Sequence, residues 1–399
     1  MAYPIERINT PISTAELERR WAAVRAAMAD HGIDVLLMQC NNDFMGGNVK
    51  YFTDLPATNG YPVTVIFPQD EQMTVIGQGP FGQIVELPPE GDGLRRGVGT
   101  MMTTPSFATA GYTVRYDAEL AEKALEPYAA STVGLVGRGQ ISAGFLDHLR
   151  DGRFANTRFV DASDLVDGIK VIKSAEELEV IRKTAQMQDG CMQAVLEGIR
   201  PGMTDLEVTG IAEYHALKNG SEQGWYMAGS GRVGVVTRMG GRHQQNRTVE
   251  KGDSFTILIE NSGAGGMYTE IARTCVLGKA SDEMKDEFAF AVEAQQFTVD
   301  MLKPGASCAD IWNAHNDFMI AHRRPPEQRL YCHGQGYDMV ERPLVRFDEP
   351  MTIQPAMNMA CHPAWASKTA WNWVCDNFIV GEHGVEGRIH KTPQVIFEL

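Results

Sequence analysis

The sequence predicts an α+β protein in two domains. A smaller α/β domain spans residues 1–168, and a larger domain of helices around a pseudo-symmetric, curved antiparallel sheet spans 169–399. Three observations carry this. Amphipathic helix patterns alternate with short apolar runs through the first domain. A Pro-Gly turn followed by a Ser/Thr cap opens a helix twice in the second, at Pro201-Gly202 and at Pro304-Gly305. Between them, Ser254–Leu277 alternates with period 2 on both sides of a glycine turn, the pattern of a hairpin.

Taken in order, Ser13-x-x-Glu16 caps a helix through Leu17, Trp21, Val24 and Met28 that ends near Gly32. Ile33–Met38 reads as a buried strand, and a polar loop leads to a second strand beginning at Val49–Thr53. Further strands are expected at Val63–Phe67, Met73–Gly77 and Thr132–Val136, with 87–105 rich in loop residues. The boundary falls within Val160–Lys173, where Ser174-x-x-Glu177 launches a long helix. In the second domain, long helix patterns at Ala175–Leu196 and Lys285–Met301 each precede one of the two Pro-Gly-cap helices, which in turn precede strand-like segments.

A net charge of −15 with no basic run argues against nucleic acid and anionic membrane as partners. The seven cysteines are scattered, odd in number and free of CxxC spacing, the pattern of a reducing compartment. With no apolar signal core at the N-terminus and no run of membrane length, a cytoplasmic protein acting on a small molecule is expected.

Glu260 and Glu270 lie five residues either side of Gly265. In symmetric register they oppose one another on one sheet face, roughly 5 Å apart at Cβ. Two carboxylates that close repel unless a proton, a metal or a cationic ligand lies between them. His243, in G-G-R-H-Q-Q-N-R, and His333, in Y-C-H-G-Q-G-Y, flank turns near these strands and complete the candidate catalytic set. Trp225, Tyr226, Trp371 and Trp373 are candidates to wall a cationic ligand, although Trp371 and Trp373 also suit a sheet core. Arg242, among Arg232, Arg238 and Arg247, is a candidate for gripping a substrate carboxylate. Cys375 reads as an inert buried thiol.

The chain resembles the creatinase/prolidase/methionine aminopeptidase superfamily, whose catalytic domain has the pitta-bread fold. The resemblance lies in Ile172-Lys173-Ser174-x-x-Glu177, Pro201-Gly202-Met203-Thr204, Lys251-Gly252-Asp253, Tyr268–Thr274, His333-Gly334-Gln335-Gly336 and the segment from Val374 to Gly384. Asn48–Thr53 resembles the N-terminal domain of creatinase-type members. The resemblance implies a homodimer in which the loop Asn41–Phe44 reaches toward the other subunit's site. Peptidase members hold two metals with two aspartates, a histidine and two glutamates, which by resemblance fall here on Glu260, Glu270, His333, Gln354 and Cys375. A neutral amide and a thiol replace two of the carboxylates, so a dinuclear site is not expected.

The resulting expectation is a creatinase-like, metal-independent hydrolase of an amidine, guanidino or cyclic amide C–N bond. Its site residues are Glu260, Glu270, His243 and His333, with Trp225, Tyr226, Arg242, Gln354, Trp373 and Cys375 around the substrate, and it needs no cofactor. The alternatives are a metal-dependent Xaa-Pro aminopeptidase or dipeptidase with altered ligands and a non-catalytic binding module. A single zinc, iron or manganese ion held by Glu260, Glu270, His333 and Cys375 is the alternative to a metal-free site, and a lyase acting by proton abstraction also stays open.

Overall fold

Helix α1, Thr14–His31, begins where the Ser13 hydroxyl accepts the Glu16 N–H, and it ends at the left-handed Gly32. The computed structural model of the protein describes residues 10–89 and 91–399. The stretch 1–9, read above as lacking a signal core, lies outside the described residues.

After β1 (Val35–Cys40) the chain forms a short helix, α2 (Gly47–Thr53), where a strand was expected. Propensity misleads here because Val49, Tyr51 and Phe52 favour strands in isolation. The helix is held from outside. Its last-turn carbonyls accept from α1, with Arg20 Nη1 on Tyr51 O at 3.2 Å and Trp21 Nε1 on Phe52 O at 2.9 Å. Strands β2 (Val63–Pro68), β3 (Met73–Gln78), β4 (Gln83–Glu86) and β5 (Val98–Thr104) follow. The last of these strands occupies the end of the stretch read as loop. Helix α3 (Val114–Leu125), β6 (Thr132–Val136), α4 (Ala143–Asp151), β7 (Arg158–Asp161) and α5 (Ser163–Lys170) complete the first unit. Its seven strands form one mixed sheet in the order β4-β5-β3-β2-β1-β6-β7, and α3 and α4 pack their apolar faces on Leu37, Ile66 and Leu135.

The chain divides into two compact units between Lys170 and Val171. The second opens with α6 (Ala175–Gly198), started by a full capping box between Ser174 and Glu177, then α7 (Asp205–Lys218). Strands β8 (Gly224–Arg232), β9 (Asp253–Ser262) and β10 (Tyr268–Val276) make an antiparallel sheet. Helices α8 (Asp282–Met301) and α9 (Cys308–Ala321) follow. The remaining strands are β11 (Cys332–Gly334), β12 (Glu341–Leu344), β13 (Asn358–Cys361), β14 (Ala364–Ala366), β15 (Trp371–Trp373), β16 (Asp376–Gly381), β17 (Gly384–Arg388) and β18 (Phe397–Glu398). Sheet β18-β10-β9-β8 meets sheet β12-β11-β13-β16-β17 through a bridge of Ala272 with Cys375.

The repeated Pro-Gly-cap phrase is a true structural repeat. Gly202 N donates to Val249 O and Gly305 N to Ile353 O, both at 2.8 Å. Thr204 and Ser307 cap α7 and α9, and they bridge Thr248 and Thr352 respectively. No described helix is long and apolar enough to cross a membrane.

Candidate metal centre

The β9–β10 hairpin builds the floor. Its register pairs Glu270 with Glu260, and β8 continues the row by pairing Trp225 with Glu260. Alternation places Phe255, Ile257 and Ile259 on the opposite face, in a core with residues of α6 and α7, which fixes the register and buries both acids. A one-residue slip of either strand would carry its carboxylate into that core and turn its isoleucine toward the site.

Three donor atoms converge on this floor. Glu270 Oε1 lies 3.3 Å from His362 Nε2 and 3.6 Å from His333 Nε2. One ligand atom from each of Glu270, His333 and His362 falls within 4.8 Å of the others. All three residues are buried. His333 comes from β11. His362 follows β13, and its backbone N–H is tied to Tyr331 O at 2.7 Å. Strands β11 and β13 are antiparallel neighbours, so their pairing delivers both imidazoles to the same acid.

The protonation pattern follows from the partners. His333 Nδ1 sits 2.9 Å from Gly334 O. That carbonyl only accepts, so the proton resides on Nδ1 and a bare lone pair faces Glu270 from Nε2. Burial holds the His333 imidazolium off down to about pH 4, and burial with His333 nearby pushes His362 well below its ordinary range. Burial raises Glu270 to about 7, eased by the Cys375 thiol and the Arg329 guanidinium. Glu260 is raised well above the usual carboxylate range, by burial first and then by Glu270. Its Oε1 accepts from Gln335 Nε2 at 2.9 Å. Gln335 is itself oriented, because its Oε1 accepts from Asn377 Nδ2 at 2.9 Å. Asn377 also takes the Glu270 N–H at 2.7 Å, so one amide network sets both acids.

Three lone-pair donors facing one point repel one another without a cation among them. Glu270 Oε1, the atom both imidazoles face, has no hydrogen-bond partner, a costly state for a buried polar atom. Two neutral imidazoles and one carboxylate make a donor set suited to zinc, iron or manganese. The Gly334 carbonyl orients one imidazole as an outer-shell partner does. The residues fit a divalent metal.

Other sequence candidates lie elsewhere. His243 is exposed on the one-turn helix Arg242–Gln244. Gly241, beside it, borders both that imidazole and the Trp225 ring, which places His243 at the rim rather than at the donor cluster. Arg242 is drawn to the surface by Glu213, at 2.7 Å. Tyr226 points to the opposite face, into the core with Ile259 and Ile271. Trp225 is 42 % exposed beside Glu260, and the Trp373 ring centroid is 6.0 Å from that of His362.

Gln354 is exposed and lies outside the donor cluster, whose third member is His362. The repeat explains the placement. Thr248-Val249-Glu250 matches Thr352-Ile353-Gln354, so Gln354 sits in a turn before its strand, while His362 stands at that strand's far end. Its signal in the sequence is a histidine followed by proline directly after the apolar run Met357–Cys361. Cys375 is buried against the Glu270 carbonyl, 3.6 Å from its Sγ, and burial and the Glu270 charge push the thiol well above its ordinary range. With its Sγ on that backbone carbonyl, Cys375 stands outside the group of donor atoms formed by Glu270, His333 and His362.

The model of Metallopeptidase family M24 matches residues 179–391. The chain is 23% identical to the Xaa-Pro dipeptidase of Pyrococcus furiosus over 245 residues, covering 59% of this chain and 68% of that one. It is 23% identical to the creatinase of a Bacillus species over 328 residues, 79% of this chain and 74% of the relative. The X-Pro aminopeptidase of Thermotoga maritima shares its fold, with a TM-score of 0.78 at 17% identity over 95% of this chain and 99% of that one. The pitta-bread expectation holds. Two others are corrected. The metallopeptidase match, the dipeptidase relative and the buried donor cluster point to metal use, against both a metal-independent amidine or guanidino hydrolase and a site without a cofactor.

Proposed function

This chain belongs to metallopeptidase family M24, and from that premise we propose that it is a metal-dependent dipeptidase cleaving the C–N bond of small Xaa-Pro-type substrates. The observation carrying this is the convergence of Glu270, His333 and His362 within 4.8 Å, with the buried Glu270 Oε1 between the two imidazoles left unpartnered. These three residues hold the metal. When bound, it supplies Lewis acidity to the scissile carbonyl.

Glu260 does the proton work. It stands beside the ligand cluster, opposite Glu270, where burial and the facing carboxylate favour its protonated form. Gln335 donates to its Oε1, so the proton lies on Oε2. From there it passes to the prolyl nitrogen as the C–N bond breaks, while water adds to the carbonyl carbon and returns one of its protons to the Glu260 carboxylate. Gln335 and Asn377 fix the carboxyl so that this transfer needs no reorientation. Trp225 borders Glu260 at the open side and shields the leaving group from bulk water.

Turnover of Ala-Pro before and after exhaustive chelation tests this reading. Activity should vanish with metal removal and return when zinc or manganese is restored to about one equivalent per chain. Undiminished turnover after chelation, or no turnover of Xaa-Pro dipeptides at any metal loading, defeats it.

A further inference from the structure

Asp376, at the start of β16, is buried between two guanidiniums. Arg273 Nη2 donates to its Oδ1 at 2.7 Å, and Arg388 Nη1 donates to the same oxygen at 3.2 Å. His390 Nδ1 lies 3.6 Å from that oxygen, and burial holds the ring neutral down to about pH 4. One carboxylate therefore faces two fixed cations.

Arg388 ends β17, and only one end of its guanidinium is spent. Nη1 also donates to Thr392 O at 2.5 Å, which pins the group in place. Its Nε and Nη2 make no hydrogen bond among the described residues, and the side chain is 24 % exposed, within reach of solvent. The same Nε–Nη2 edge grips a carboxylate bidentately where Arg324 meets Glu287 and where Arg346 meets Asp348.

Arg388 lines a cavity of about 420 Å³ between α6 and the end of β17. Arg182 and Glu386, also on its wall, pair with each other at 3.5 Å. Asp189 is engaged by the Lys391 and Thr392 N–H groups, each at 2.8 Å, and by the Thr392 hydroxyl at 2.6 Å. The Lys391 ammonium has no ion pair among the described residues and lines the same cavity. With Arg182 and Glu386 cancelled, Arg273, Arg388 and Lys391 stand against Asp189 and Asp376, three cations against two carboxylates. The excess is positive.

We propose that this cavity is an oxyanion-binding site. The unspent edge of Arg388 takes two oxygens of a small carboxylate or phosphate, and Lys391 supplies the second cation. A planar fork favours an anion with two adjacent oxygens over a spherical halide. The site uses none of the residues of the metal centre and does not depend on the peptidase reading.

Calorimetric titration of the metal-loaded protein at low ionic strength, with inorganic phosphate, acetate and chloride in turn, tests it. Wild type should bind phosphate or acetate with a Kd of about 1 mM or tighter, and chloride at least about tenfold more weakly. Tighter phosphate assigns a phosphate-bearing ligand, and tighter acetate assigns a carboxylate. Arg388→Gln should weaken oxyanion binding at least about tenfold. Lys391→Gln, which disturbs no hydrogen bond of the fold, should weaken it about fivefold and carries the test if Arg388→Gln does not fold. No oxyanion binding by wild type, or chloride bound as tightly, overturns the proposal. Affinity unchanged in these variants also overturns it and places the anion at the metal. Arg388 borders a second cavity with Lys303 and His383, so a loss in Lys303→Gln but not in Lys391→Gln overturns the assignment to this one.

Discussion

His362 is the one member of the donor cluster that was not singled out from sequence. Its Nε2 and that of His333 flank Glu270 Oε1, and its burial keeps it neutral and able to ligate. His362→Ala should weaken metal affinity by more than about a hundredfold, beyond the usual loss of an outer-shell partner, as read by competition with a chromogenic chelator. Retained affinity would exclude it as a ligand. Glu260 has a separate task, so Glu260→Gln should keep the metal while kcat falls by about a hundredfold. Loss of the metal in that variant would mean that Glu260 is a ligand and not the acid.

At the scale of elements, the molecule is held by devices repeated across its second unit. Gly202 and Gly305 turn the chain at φ +98° and +87°, and a Cβ at either position would meet no atom within 4 Å. Their replacement therefore tests backbone strain alone. Gly202→Ala and Gly305→Ala should each cost about 1–2 kcal/mol in urea unfolding, and a cost confined to one of them would argue against equivalent turns. The β9–β10 hairpin is legible in the sequence because Phe255, Ile257, Ile259 and Ile271 recur with period 2 and the turn sits midway, which leaves a single register for the acids. Helix α2 is not legible. Its hydrogen bonds come from Arg20 and Trp21, more than thirty residues away in sequence. His362 is hidden for a related reason. Its role depends on which end of β13 faces the sheet junction, and strand polarity of that kind is set by pairing with β11 and not by local pattern.

For the whole molecule, stability should depend on metal and on acid. A ligand that binds only the folded state at a hundred times its Kd adds about 2.7 kcal/mol, so saturating metal should raise Tm by several degrees in scanning calorimetry. An unchanged Tm would mean no metal binds the native state. Acid acts through buried histidines such as His315, which stacks on Tyr331 at 4.0 Å and is held neutral by burial down to about pH 4. Its folded pKa lies below its unfolded value. Its stabilising contribution is therefore complete above about pH 6.5 and is lost as pH falls toward 4, by up to about 1.4 kcal/mol per unit. His315→Gln should flatten the acid limb of stability against pH by that amount, and an unaltered limb would show that another group governs it.

The most direct test of the metal centre is anomalous diffraction from crystals grown with manganese or zinc. A strong peak coordinated by Glu270, His333 and His362 is the expected result. A site that stays without anomalous density at saturating metal, or an ion bound elsewhere with these three side chains uninvolved, would contradict the account.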